Sequence, residues 1–195
     1  MTGNDPRLNR RAAIRLLLAD RDDLLVVTGL GSTTWDAASL GDDDRNFYLW
    51  GAMGSAAMIG LGLALARPDR RVLVVTGDGE ILMGLGSLAT IGVQCPPNLA
   101  IAVFDNGLYG ETGMQASHTE SAVTLTGVAR ACGIEQVFDI ADEAALRQFA
   151  GLVHRADGTL FARVAILAED APRVLPPRDG VLLKARFRRA IDVEH

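Results

Sequence analysis

Short apolar runs alternate with amphipathic stretches along most of the chain. Residues 24–28, 47–50, 71–76, 99–104, 135–138 and 159–167 read as strands. Residues 6–20, 32–40, 53–66, 81–93, 124–132 and 142–155 read as helices. In the first helix Leu8, Ile14, Leu17 and Leu18 share a face, and Arg7, Arg10, Arg11 and Arg15 fall largely elsewhere. Ser32, Thr33 and Thr34 stand where a helix cap belongs. The stretch 53–66 is rich in small residues, which suits close packing, on a sheet or at a subunit interface. Residues 110–119 read as a loop. Strands alternating with helices predict an α/β fold, a three-layer αβα sandwich with a mainly parallel central sheet. Residues 1–170 are expected to form this domain and residues 171–195 a tail. Pro172, Pro176 and Pro177 precede the basic segment 184–189, expected to be a surface segment or an arm.

The 195 residues suit one domain with a full core. Lys plus Arg number 19 against 24 Asp plus Glu, a net charge of −5, which argues against a partner held by phosphate attraction such as nucleic acid. Cys95 and Cys132 are far apart and form no metal-binding spacing, so a reducing compartment fits best. No secretory signal is read in the polar first residues. The longest weakly polar run, 51–66, falls short of the roughly 18 residues that a membrane span needs. A cytoplasmic protein with no membrane association is expected.

The unusual residues cluster after strands, where ligands of open α/β sheets sit. Gly77-Asp78-Gly79-Glu80 follows a buried strand and precedes a helix. Glycines there permit close backbone approach, and a helix start offers free N–H groups to phosphate. An Asp at that place would repel a bare phosphate unless a cation lies between, which points to Mg²⁺ bridging carboxylate and diphosphate. The plain alternative is an ordinary turn with a capping Asp. Asp105-Asn106-Gly107-Leu108-Tyr109-Gly110 follows the next strand. Its Asn oxygen and an irregular backbone carbonyl would complete an octahedral Mg²⁺ site. A hairpin turn is the alternative.

The GDG turn followed at this distance by an Asn motif resembles the cofactor-binding motif of thiamine-diphosphate-dependent enzymes. The stretch GAMGSAAMIGLGLALARPDRRVLVVTGDGEILMGLGSLATIG and the later FDNGLYGETGMQ resemble the β subunit of sulfopyruvate decarboxylase and the cofactor-binding half of phosphonopyruvate decarboxylase. The similarity runs over residues 8–168. It implies thiamine diphosphate and Mg²⁺ as cofactors, with Asp78, Asn106 and the Leu108 carbonyl as metal ligands. It implies that Gly79 and Glu80 meet the diphosphate through their backbone, and that Gly77, Tyr109 and Gly110 belong to the same cofactor site. Gly51 would accept a hydrogen bond from the aminopyrimidine, and Met53 would bend the cofactor. Ser32 and Thr33 align with a diphosphate-contacting hydroxyl, though an N-cap explains them equally well.

Asp105, Glu80 and Glu111 depart from the family pattern; Glu111 stands where a Ser is usual, an awkward neighbour for a substrate bearing sulfonate or phosphonate. Glu111 and His118 are the candidate proton-relay residues, with solvated loop positions as the alternative. All recognised motifs belong to the diphosphate-binding (PP) domain. The resemblance therefore implies a separate pyrimidine-binding (PYR) subunit that supplies the catalytic Glu, in an α2β2 or higher hetero-oligomer. The expected activity is decarboxylation of a small 2-oxo acid. The alternatives are a carboligase subunit resembling acetolactate synthase, or a non-catalytic cofactor-binding or assembly subunit.

Overall fold

The computed structural model describes residues 7–191. The elements run α1 (Arg10–Leu17), β1 (Leu25–Thr28), α2 (Ser32–Ala38), β2 (Asn46–Tyr48), α3 (Ala56–Ala66), β3 (Val72–Gly77), α4 (Asp78–Met83), α5 (Ser87–Gln94) and β4 (Leu99–Asp105). A small hairpin β5 (Leu108–Tyr109) and β6 (Gln115–Ala116) follows, then a 3₁₀ turn His118–Glu120, α6 (Leu125–Ala131), β7 (Gln136–Ile140), α7 (Glu143–Arg155), β8 (Leu160–Ala165) and α8 (Gly180–Ala190).

Six strands form one parallel sheet in the order β2-β1-β3-β4-β8-β7. The central strands β1, β3 and β4 are apolar on both faces, as a sheet covered on both sides requires. One layer packs α1, α2 and α7 on the sheet around Ile14, Leu17, Ala37 and Phe149. The other packs α3 to α6 around Leu61, Ile81, Leu88 and Ala129. The expected three-layer parallel architecture is what forms.

Several local expectations need correction. The segment 81–93 is not one helix: α4 ends at Met83 and α5 begins at Ser87. A Cβ on Gly84 would lie 2.1 Å from the Gly54 carbonyl oxygen, so the break seats the loop before α3 against the chain. The helix at 53–66 starts only at Ala56. The cap expected at 32–34 is absent, because α2 is entered through Gly31 at φ 82° with no side-chain cap. Thr33 and Thr34 instead donate hydrogen bonds to the Gly29 carbonyl, at 3.1 and 2.7 Å. The loop at 110–119 holds half of a hairpin, whose turn lies at 110–114 rather than at the DNG.

The basic tail is an ordered helix and not a free arm. Asp179 caps α8, accepting from Val181 and Leu182 N–H. Leu183 and Phe187 are buried, and the Phe187 ring meets Phe47 edge-on at 5.3 Å. Arg186 pairs with Asp42 at 2.5 Å, so α8 covers the β2 edge that would otherwise be open to another strand.

Helix α3 packs its small residues closely on the sheet. Gly60 lies so close to β3 that a Cβ would meet Val74 at 2.2 Å. On the opposite side Met58 and Leu65 are exposed and Gly62 has open space.

Candidate active site

The parallel register brings the ends of β1, β3 and β4 side by side, so the turns at 29–31, 77–80 and 105–110 open into one cavity. Ser32, Thr33, Met53, Gly77, Asp78, Gly79, Glu80, Asn106, Leu108, Tyr109, Gly110 and Glu111 all line it. Gly51 and His118 do not. Gly51 is exposed with open space around it. His118 is exposed on the 3₁₀ turn, its Nδ1 3.4 Å from the Tyr109 hydroxyl.

Asp78 opens α4 and is 2 % exposed. Its Oδ2 accepts hydrogen bonds from Ser117 at 2.5 Å and, more weakly, from Thr119 at 3.4 Å. Burial and the neighbouring Asp105 push its carboxyl up to about 6, against the pull of the Ser117 hydrogen bond. Asp105 earns its place differently from the Asn usual there. It accepts from Gly107 N–H and Thr119 Oγ1 through one oxygen and from Arg163 Nε at 2.7 Å through the other. That triple clasp organises the turn. Asn106 Oδ1 accepts from Leu108 N–H at 2.9 Å, an Asx-turn that bends the backbone beside Asp78.

Glu80 is 3 % exposed and ties three turns together. Its Oε2 accepts from Thr76 Oγ1 and Leu30 N–H, both at 3.0 Å. Burial pushes its carboxyl up, opposed by Thr76 and by the N–H groups of Leu30, Ala56 and Gly54. Its side chain explains Gly29, where a Cβ would sit 1.7 Å from Oε2. Gly79 is required by the Tyr109 ring, 2.6 Å from where its Cβ would be, while Gly77 has room for one and an ordinary φ of −97°. The Gly77 Cβ position is therefore open space that a ligand can approach.

These residues fit thiamine diphosphate with Mg²⁺. Among the described residues no group of three or more His, Cys, Asp or Glu side chains could hold a metal alone. A cation held at Asp78 would need further oxygens, and the Asn106 side chain and the main-chain carbonyls of the 105–110 turn stand at the neighbouring strand end. A buried carboxylate with no cationic side chain bonded to it is stabilised by such a cation.

Sequence reasoning missed several residues of the site. Ser117 and Thr119 bond Asp78, but nothing in a Ser-His-Thr string signals that contact. Arg10 and Asp36 also line the cavity, and Arg10 is 5 % exposed although the helical pattern places it on the polar face.

The family described as thiamine pyrophosphate enzyme, C-terminal TPP binding domain, matches residues 30–162. Sulfopyruvate decarboxylase subunit beta of Methanocaldococcus jannaschii is 37% identical over 169 residues, covering 86% of this chain and 88% of that subunit. The subunit of the same name from Methanothermobacter thermautotrophicus is 40% identical over 184 residues, with 94% and 96% covered. Phosphonopyruvate decarboxylase of Streptomyces viridochromogenes is 49% identical over 132 residues, which are 67% of this chain but only 33% of that enzyme. The chain thus spans about a third of the phosphonopyruvate enzyme and nearly the whole of the archaeal subunits. The crystal structure of a protein from Mycobacterium smegmatis described as a thiamin diphosphate-dependent enzyme superimposes with a TM-score of 0.71 at 20% identity, covering 83% of this chain and 32% of that one. No helix among the described residues is long and apolar enough to cross a membrane. The chain belongs to the thiamine pyrophosphate enzyme family, as its C-terminal, cofactor-binding domain.

Proposed function

We propose that the chain is the diphosphate-binding subunit of a heteromeric decarboxylase that acts on a small 2-oxo acid with thiamine diphosphate and Mg²⁺. The observation that carries this is the pairing of buried Asp78 with Asn106 on adjacent strand ends, facing one cavity in a chain that matches archaeal sulfopyruvate decarboxylase β subunits nearly end to end. When bound, the cofactor supplies an electron sink for the carbanion left by loss of CO₂.

Asp78, Asn106 and the Leu108 carbonyl hold the metal in this reading. The backbone at 77–80, with the Ser32 and Thr33 hydroxyls, holds the diphosphate, and Met53 supports the bent cofactor. The hairpin β5–β6 carries Tyr109, Gly110 and Glu111 over the cavity and excludes water from it. Glu111 is the candidate for moving a proton there; His118 reaches the cavity only through the Tyr109 hydroxyl. The catalytic Glu comes from a separate pyrimidine-binding subunit. Apolar side chains left exposed on one layer, Met58 and Leu65 on α3 and Val93 on α5, support a partner on that side.

Calorimetric titration with thiamine diphosphate and Mg²⁺ tests this, on the chain alone and with its candidate partner. Tight binding and CO₂ release from a 2-oxo acid are expected with the partner and lost in Asp78→Ala. Binding unaffected by Asp78→Ala overturns the assignment, as does turnover at an ordinary enzymatic rate by the chain alone.

A further inference from the structure

The cavity is acidic for a diphosphate site: Asp36, Asp78, Glu80 and Glu111 line it. Among the described residues lining it, Arg10 is the single cation. A Mg²⁺ ion at Asp78 offsets part of the ligand's charge at one place only. Something must meet the remainder.

Arg10 is buried there at evident cost, since a guanidinium is rarely taken from water without full pairing. Its Nε lies 3.0 Å from Asp36 Oδ2, close enough for an ion pair but too bent for a hydrogen bond. The other Asp36 oxygen accepts from Arg11 Nε at 3.2 Å. Two guanidinium groups thus share one carboxylate, leaving one net positive charge in the trio. Among the described residues, no hydrogen bond engages the Nη groups of Arg10.

The backbone sets this placement. Leu8 pairs with the end of β8, donating to the Ala165 carbonyl and accepting from Leu167 N–H, both at 2.9 Å. Asn9 caps α1, accepting from Ala12 N–H at 2.9 Å. Arg10, the first residue of α1, is thereby held at the carboxyl end of the sheet with Ser32, Thr33 and Asp36. Met53 leads into α3 on the opposite face. The strand ends bearing Asp78 and Asn106 lie between the two.

We infer that Arg10, held by Asp36, is the cationic contact for the terminal phosphate of the cofactor. This rests on the function proposed above, which puts the reacting end of the cofactor at Met53 and hence its terminal phosphate at the Arg10 end. Arg11 acts indirectly, by occupying the second oxygen of Asp36.

The test compares affinities of thiamine diphosphate and thiamine monophosphate, each with Mg²⁺, for the full chain assembled with its partner. Arg10→Gln is expected to weaken thiamine diphosphate about 10- to 100-fold, the range of one charged hydrogen-bonded contact, and to leave the monophosphate within about twofold. Arg10→Lys should recover part of the loss. Arg10→Gln leaves Arg11 as the remaining partner of the buried Asp36 charge; the double variant Arg10→Gln/Asp36→Asn removes that charge too, and the part-exposed Arg11 keeps its bond to the Pro172 carbonyl. Thermal melts establish that it folds, and it should show the same selective loss. Equal loss of both ligands, or loss of neither, overturns the inference. So does intact cofactor binding with a KM raised only for 2-oxo acids bearing a second anion, which would make Arg10 a substrate residue. Failure of the unmutated assembly to bind thiamine diphosphate would instead overturn the functional reading, and this inference with it.

Discussion

Asp78 is where burial and charge meet. In the folded chain its carboxyl sits near 6, above the ordinary value of 3.8. A folded-state acid with a raised value holds its proton when the unfolded chain has lost it. Its contribution therefore stabilises the cofactor-free chain as pH falls through about 6, and that gain is lost as pH rises. Mg²⁺ needs the same oxygen deprotonated, so Mg²⁺-dependent cofactor affinity should drop over the same interval. Melting temperatures and cofactor titrations between about pH 7.5 and 5 should move in opposite directions, and Asp78→Asn should flatten both. The turn residues bearing this chemistry were legible because glycines bracket Asp78 and follow Asn106. Arg10 was not. Its burial depends on Asp36, a partner brought close only by tertiary packing, and a helical pattern reads an arginine beside Asn9 as solvated.

At the scale of elements, periodicity located every strand of the main sheet and failed where packing overrode it. Only Gly84, Leu85 and Gly86 separate 81–83 from 87–93, and the apolar pattern runs on through Leu85, yet the chain breaks between them because Gly84 lies on the Gly54 carbonyl. Gly84→Ala should destabilise the chain by roughly 1–3 kcal/mol, the usual range for forcing atoms into a packed site, readable in urea unfolding. It should also disturb the loop carrying Met53, weakening cofactor affinity beyond what the stability loss explains. The basic segment 184–189 hid α8 for the opposite reason. Leu183 and Phe187 stand four apart, the spacing of one helix face, after the capping Asp179, but the surrounding arginines and the prolines before them favoured a tail. Arg186 is buried by its pairing with Asp42, which local sequence does not announce.

Across the whole molecule the apolar surface is unevenly spread. Leu65 is 50% and Val93 81% exposed, both on the layer opposite α1 and α7. Leu65→Arg and Val93→Arg should leave the melting temperature of the isolated chain nearly unchanged, within about 0.5 kcal/mol of stability, because neither side chain has much burial to lose. Each should abolish assembly with a pyrimidine-binding subunit in size-exclusion or light-scattering measurements. Unaltered assembly would place the partner elsewhere.

The bridge between Leu8 and Ile166 has a consequence in time. The cavity wall that carries Arg10 is anchored through Leu8 to the end of β8, the strand of the sheet that is synthesised after all the others. The turns with Asp78 and Asn106 emerge much earlier, but β4 lacks its neighbour β8 until residue 165 is made. Such long-range closure is slow compared with local helix formation. A chain in which β8 has not yet docked therefore presents an acidic, half-walled groove, and cofactor loading follows that docking.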